Sequence, residues 1–570
     1  MRIRNERGMA LAISLLVVML LLIIGSVFVF RSITEKNIFE REKALTQSFY
    51  LADGGSHAGL KQIDSLINTD MRTTINGTNP QTVANDAKGF VLSGDGLGFL
   101  VKYAKKNGSA QLVLNGQQAT YAGTITTLGG GTYQFTIVFT EKGNPVNVAT
   151  DKWDFSYNYN IQTTGIITGQ PRKVRLTGDF TVRVQKDNFA KYALFTNQHR
   201  MPSGTLVWFT AKTNFAGPIH TNDQYNFASN PSGTFEGLVT QQNTKARFYN
   251  QGFSIQMDAD SNPPYDVPTF NGGYDRGVAE IVLSSSVKKQ DLIDQSRGGD
   301  TTTGNGIFVA NDGVNLTGGI YVKGDATVNM GVDTNDNQTY TITQGSTTKI
   351  ITVRLPPTNQ TQIETVSQGT ITYGGLPDGI DNVGTIIYVN GNITSVKGTI
   401  QEDTQVTVSS ENGATITDHV LYSDFTPAIG TPGQPGYVPP NAEGTENLFG
   451  LLTWGGNIAI GTAAPNNLDI HGVMLAQNTG SNAIFTVTNY NSGSPRGTVS
   501  LLGGAITQFY GAFGTFSGET GQLLTGYGRN FVYDNRMLQG EAPPYFPTMK
   551  TFIAFTNDIT DKIAWQEGGF

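Results

Sequence analysis

The residues able to do chemistry are few and scattered. Five histidines, His57, His199, His220, His419 and His471, lack the short spacing that brings two imidazoles onto one metal, and no Ser/His/Asp order emerges around them. Cysteine is absent, which excludes thiol catalysis, Cys-ligated metal and disulfides. Asp258-x-Asp260-x-Asn262 and Asp333-x-Asn335-x-Asn337 begin like calcium loops, but the first runs into Pro263-Pro264, and neither has Gly at the sixth or Glu at the twelfth position. Asp469-Ile470-His471-Gly472 holds the one His-Gly, and no Asp-Asp pair accompanies it, so the clustered carboxylates of a glycan-cutting β-coil are missing. Neither a P-loop nor a dinucleotide fingerprint is present. The expectation is a protein that is not an enzyme and carries no cofactor and no metal. His220 and His471, set among β-residues, read as hydrogen-bonded structural side chains.

One polar pattern does suggest contact with a ligand. Along Arg172–Lys186, Val174, Leu176, Phe180, Val182 and Val184 share one strand face, while Lys173, Arg175, Asp179 and Arg183 share the other. A basic strand face can touch phosphate, which makes Lys173, Arg175 and Arg183 candidate DNA contacts; the alternative is a solvated sheet surface, with Asp179 in its middle. The overall balance opposes DNA. Lys+Arg is 38 against Asp+Glu 45, a net charge of -7, and residues 1–65 hold 8 basic and 6 acidic residues, leaving -9 on the remainder.

These residues sit in a chain of 570 with only 15% charged residues, below the roughly 25% of an average soluble protein. Gly is abundant at 69, and 31 Phe with 22 Tyr supply a large core, so disorder is excluded for most of the length. Met9 to Phe30 is free of charge and, as a helix of about 33 Å, can cross a bilayer core. Arg2, Arg4 and Arg7 before it leave the leader in the cytoplasm and the body outside. A cleaved secretory signal would have a shorter apolar stretch and a small-residue cleavage site, whereas this one ends in Phe30-Arg31-Ser32. Leu45, Phe49, Ala52, Ser56, Leu60, Ile63 and Ile67 then fall on one helical face, opposite Glu35, Lys36, Glu40, Arg41, Glu42 and Lys43. The spacing predicts one helix over 9–67, about 90 Å long, with a possible kink at Gly54-Gly55.

The leader Glu6-Arg7-Gly8-Met9-Ala10-Leu11-Ala12, together with Tyr50-Leu51-Ala52-Asp53-Gly54-Gly55, resembles the PilX-type minor type IV pilins. That resemblance implies a prepilin peptidase cutting between Gly8 and Met9 and methylating the new amine. Most pilins carry Glu at the fifth mature position, where it pairs with a neighbour's N-terminal amine. Here Ile13 stands there, which resembles the minor pilins placed at a filament tip; the plainer reading is one more membrane residue.

Residues 98–186 read as antiparallel β-structure, with Thr132–Phe139 and Asp154–Tyr159 alternating as half-buried strands. From about 200 to 515 short apolar runs alternate with Gly, Asn and Thr. Ile320-Tyr321-Val322-Lys323-Gly324-Asp325-Ala326-Thr327 recurs 67 residues later as Ile387-Tyr388-Val389-Asn390-Gly391-Asn392-Ile393-Thr394, and Phe215-Ala216-Gly217-Pro218-Ile219 as Phe235-Glu236-Gly237-Leu238-Val239. Repeated short strands bent at Gly describe a β-solenoid with insertions; the rival is a β-sandwich array. Tyr340–Leu355 reads as a projecting hairpin and Pro427–Pro440 as a loop that cannot pair. Gly526–Met537, Pro543-Pro544-Tyr545-Phe546-Pro547 and Phe215–Asn222 look like the large PilX-type pilins, which include the competence-associated form of thermophilic bacteria. The resemblance implies a β-solenoid inserted into a pilin-type sheet, with Thr551–Phe555 or Lys562–Trp565 returning to complete that sheet.

The expected fold is mainly β with one long N-terminal α-helix, a pilin-like α+β domain carrying a large β-solenoid. Its expected divisions are 1–8 leader, 9–67 helix, 68–196 β-rich pilin-like domain, 197–515 β-solenoid and 516–570 C-terminal segment. The expected role is a minor type IV pilin-like subunit at a pilus tip, priming assembly and recognising DNA or a surface, as in competence and DNA uptake. Its partners would be other minor pilins, prepilin peptidase, the inner membrane, and extracellular DNA or a surface ligand. Before assembly it would cross the inner membrane once, body outside the cytoplasm, and afterwards reach the cell surface. The alternative is a single-pass, membrane-anchored surface protein outside any filament, adhesin-like or a glycan hydrolase.

Overall fold

The computed structural model describes residues 3–104, 112–127, 131–149, 151–210, 213–228, 233–250, 253–257, 268–283, 286–426, 446–478, 483–517, 520–556, 559 and 564–568. The chain is mainly β with one long N-terminal helix, and it divides into two compact units, 1–186 with 551–570, and 187–550.

The helix runs unbroken from Ile3 to Asp64, widens into a π-turn at Ser65–Met71, and closes with Arg72–Gly77. No break occurs at Gly54-Gly55. From Met9 to Lys43 every described side chain is exposed, and from Ala44 onward Ser48, Ala52, Ser56, Leu60, Ile63 and Ile67 are buried. Gly55 serves close approach instead of a kink, as does Gly165 on the sheet. A Cβ on Gly55 would stand 2.4 Å from Thr163 Cγ2, and one on Gly165 would stand 2.1 Å from the Ser48 carbonyl oxygen. Ser48 fastens this contact: its hydroxyl donates to the Gln170 carbonyl at 2.6 Å and accepts from the Ile167 N–H at 2.9 Å.

The sheet under the helix has strand order Val113–Asn115, Gln118–Thr126, Thr132–Glu141, Lys152–Ile167, Gln170–Asn188, Thr548–Phe555. The first five pair antiparallel in sequence, as hairpins demand. Both C-terminal strands come back to it, since Thr548–Phe555 and Ala564–Glu567 each pair with Gln170–Asn188. Aromatic packing fills the space between sheet and helices: Phe99 stacks on Phe155 with centroids 4.0 Å apart, and Trp153 lies 5.8 Å from Phe552. Such a buried ring contributes about 2–3 kcal/mol by burial alone.

The second unit is built from parallel ladders. Ile320, Ile387, Val408, Leu451, Met474, Ala505, Leu194, Ile219, Val239 and Tyr274 follow one another in register, each on the strand hydrogen-bonded to the last. All but Tyr274 are buried, so successive rungs share one apolar column. At about 4.8 Å per interval the column is about 43 Å long. Spatial order and sequence order disagree in the middle, where Leu194 follows Ala505. The chain therefore joins the stack at its midpoint, builds outward through 219, 239 and 274, crosses to the far end, and builds back from 320 to 505. For this reason the unit begins at Asp187 and not at 197, and it retains the segment up to Lys550.

Two segments run along the stack and hold its rungs. Asn222 clasps Ile281 (Nδ2 to the carbonyl 2.8 Å, and the Ile281 N–H to Oδ1 2.9 Å), and Gln477 Nε2 donates to the Leu283 carbonyl at 3.3 Å. The helix Ser286–Arg297 follows, with Lys289 on Glu411 and Gln295 Nε2 on Asp381 at 2.7 Å. In the second segment Thr407 Oγ1 donates to the Pro544 carbonyl and the Tyr545 hydroxyl to the Asp378 carbonyl, each at 2.5 Å. The hairpin expected at 340–355 is present as Gln338–Gln344 with Thr347–Arg354, and two more strands, Gln360–Thr365 and Gly369–Gly374, extend it into an antiparallel meander. The Pro427–Pro440 loop and the Asp258–Asn262 segment lie outside the described residues.

Candidate binding face

A ladder of outward polar residues runs along the parallel stack. Its members stand between inward-facing residues on strands beside those of the apolar column, or further along the same strands. Asn329 pairs with Lys397, Asp469 with Ser500, Ser500 with Asn530, Asn530 with Asn214, and Thr234 with Thr269. The gaps between these pairs are closed by side chains: Lys397 Nζ lies 3.8 Å from Asp418, the Asp469 N–H donates to His419 Nδ1 at 3.0 Å, and the Thr234 N–H donates to Asn214 Oδ1 at 3.0 Å. Asn329, Asn530, Asn214 and Thr269 are exposed, the others half-buried. The nine positions from Asn329 to Thr269 extend about 38 Å at the parallel-strand spacing. His419 accepts at Nδ1, which fixes its proton on Nε2, and Asp469 Oδ2 lies 3.7 Å away.

Buried histidines elsewhere in the stack are internal fastenings. His220 Nδ1 meets Thr240 Oγ1 at 2.8 Å and Nε2 meets Asn222 Oδ1 at 2.9 Å; burial pushes its pKa down to about 4. His471 Nδ1 accepts the Tyr422 N–H at 2.9 Å, and burial with nearby His419 pushes it down to about 3. His199 is different. It lies wholly buried against Phe209, Tyr225 and Tyr510, neither ring nitrogen has a hydrogen-bond partner among the described residues, and burial with Arg529 and Arg200 lowers its pKa to about 3. No group of three His/Asp/Glu residues able to hold a metal occurs among the described residues. In the 333–337 loop, Asp333 Oδ1 accepts the Asn335 and Asn337 N–H groups, closing its own turn.

The residues singled out in the sequence fall in two places. Gly8, Met9 and Ile13 lie in the exposed stretch of the long helix, which is long and apolar enough to cross a membrane, and Ile13 is 59% exposed. Lys173, Arg175 and Arg183 do share one face of strand Gln170–Asn188, but acids occupy that face with them. Arg183 grips Asp154 through Nε and Nη2, both 2.9 Å, and Lys142 meets Asp179 at 2.9 Å. The polar ladder of the stack escaped the sequence reading. Its signal is a polar residue between two inward ones, as in Val328-Asn329-Met330, Leu468-Asp469-Ile470, Val499-Ser500-Leu501 and Thr213-Asn214-Phe215, too short and too unevenly spaced to stand out.

Comparison with known proteins adds little. A family model described as a domain of unknown function (DUF4900) matches residues 154–243, from the long strands of the first unit into the first rungs of the second. No curated protein matches the sequence. The crystal structure of the competence-associated pilin ComZ from Thermus thermophilus is similar at 9% identity, covering 88% of this chain and 97% of that one, with a TM-score of 0.30. At that score the superposition carries no argument, and the fold rests on the pairings given above.

Proposed function

We propose that the chain is a pilin-like subunit that is inserted in the membrane by its N-terminal helix and displays the parallel stack, read as a β-solenoid, outside the cytoplasm. The observation that carries this reading is the division of one continuous helix: exposed and apolar from Met9 to Phe30, then buried on a β-sheet from Ala44 onward. A plain anchor needs no rigid continuity between its membrane and globular halves; a helix that must pack in a filament core does. The leader Glu6-Arg7-Gly8-Met9 supports processing by a prepilin peptidase and methylation of Met9. Ile13, in place of a carboxylate, supports a minor subunit at the tip, and so does a body too large to repeat along a fibre. A binding role and not a catalytic one is favoured by histidines spent on internal hydrogen bonds. Its ligand is DNA or a surface component, its partners other minor pilins.

Immunogold labelling of sheared filaments tests the placement. Label at one end of each filament is expected. Label confined to the cell envelope would favour the second reading, an anchored surface protein outside any filament.

A further inference from the structure

We infer that the outward polar ladder of the stack is a docking face for an uncharged polysaccharide, an inference that rests on reading the stack as a displayed recognition domain. Charge selects against polyanions. The unit 187–550 holds 17 basic and 29 acidic residues, net -12, which repels nucleic acid and acidic glycans alike. On the ladder itself the one lysine, Lys397, is paired with Asp418. Side-chain chemistry selects against a protein partner. Among the described residues no exposed large hydrophobic side chain lies on the ladder, whereas a protein interface is anchored by aliphatic or aromatic groups at its centre.

What the ladder offers is hydroxyls and carboxamides, from Ser500, Asn530, Asn214 and Thr269, groups that donate and accept at once, as sugar hydroxyls do. With Thr234 they occupy five consecutive rungs, about 4.8 Å apart, at the end of the ladder away from Lys397, Asp418 and Asp469. A hexose unit in an extended polymer advances by a similar length, so successive sugars meet equivalent groups. The segments around Ile281–Arg297 and Pro543–Tyr545 are fastened to other strands of the stack, while Asn329, Asn530, Asn214 and Thr269 of the ladder are exposed.

The test is co-sedimentation of the full-length protein, in a detergent without a sugar headgroup, with insoluble cellulose, chitin, amylose and β-1,3-glucan, beside a filter assay with duplex DNA. Retention by at least one polymer is expected, insensitive to salt, reduced about tenfold or more in S500A/N530A and in a second variant, N329A/T269A, and unchanged in T372A on the meander. A urea midpoint equal to that of the unmodified protein certifies each variant. Retention by none of the four polymers would overturn the inference. So would retention unaffected by both ladder variants, or salt-sensitive DNA binding that the ladder variants abolish. Leader processing is not read by this assay, so its failure is distinct from failure of the pilin-like reading.

Discussion

Tyr321 and Tyr388 stand 67 residues apart in sequence and face to face in space, ring centroids 6.1 Å apart and planes 3° from parallel. They occupy the same position of the repeated Ile-Tyr-Val unit, whose other members are paired in register as well: Ile320 with Ile387 and Val322 with Val389. Repetition in the sequence has become contact in the fold, because a parallel ladder sets equivalent residues one rung apart. The pair also receives the helix Ser286–Arg297. Arg297 lies over the Tyr321 ring at 4.8 Å, and the Tyr388 hydroxyl donates at 2.5 Å to Glu411, which Lys289 holds from the same helix.

Tyr388→Phe removes that hydroxyl and leaves Glu411 one partner short, so a loss of about 1–2 kcal/mol is expected. Tyr388→Ala also empties a buried ring site and should cost about 3–5 kcal/mol. Urea midpoints of the full chain in detergent measure both. Equal midpoints for the two variants would contradict the stacking role.

The helix–sheet contact is tested by two glycines. A Cβ at Gly165 would meet the Ser48 carbonyl oxygen at 2.1 Å and the Ala52 nitrogen at 2.6 Å, both backbone atoms, so Gly165→Ala is expected to destabilise the first unit by at least about 2 kcal/mol. At Gly54 nothing lies within 4 Å, and Gly54→Ala should instead stabilise the helix by up to about 1 kcal/mol. Thermal melts followed by circular dichroism separate the two, and a destabilised Gly54→Ala would count against a straight, exposed helix there.

The buried histidines set an acid limit on the stack. Unfolded, each titrates near 6.5. In the folded chain His199 and His471 are lowered to about 3 and His220 to about 4, so below pH 6.5 the unfolded state binds more protons and stability falls as pH falls. The slope approaches about 1.4 kcal/mol per pH unit for each such group, until the folded values are reached. His199→Phe is expected to flatten the urea-midpoint profile between pH 7 and pH 4 by roughly one group's share. Because His199 sits among aromatic rings and neither nitrogen has a partner among the described residues, the variant should also gain about 1 kcal/mol at neutral pH. A variant less stable than the parent at neutral pH would point to a partner for that imidazole.

Arg183 is expected to matter for stability. Its two 2.9 Å bonds to half-buried Asp154 make Arg183→Gln cost about 1 kcal/mol, after allowance for partial exposure. Duplex DNA retention should be unchanged. A loss of DNA retention with an unaltered urea midpoint would instead mark the basic face as a contact.

Much of the local structure was legible because period and burial coincide. The 3.6-residue spacing of Ala52, Ser56, Leu60 and Ile63 marked the buried helical face, and the alternation from Val174 to Val184 marked the inward face of its strand. Three features were not legible. Gly54-Gly55 suggested a kink, but a glycine in sequence cannot tell a bend from the close approach that Gly55 makes to Thr163. The mid-stack junction of Leu194 with Ala505 joins strands more than 300 residues apart, with no motif in common. The polar ladder rests on single residues such as Ser500 and Asn214, whose chemistry is ordinary and whose alignment exists only once the rungs are stacked.

The central claim, a pilin-like subunit and not a plain anchored protein, is tested most directly by the N-terminus of the protein recovered from its own cells. Intact-mass and N-terminal peptide mass spectrometry should show residues 1–8 removed and Met9 carrying one methyl group on its amine. An N-terminus still beginning at Met1, in protein that is otherwise full length, would contradict the account.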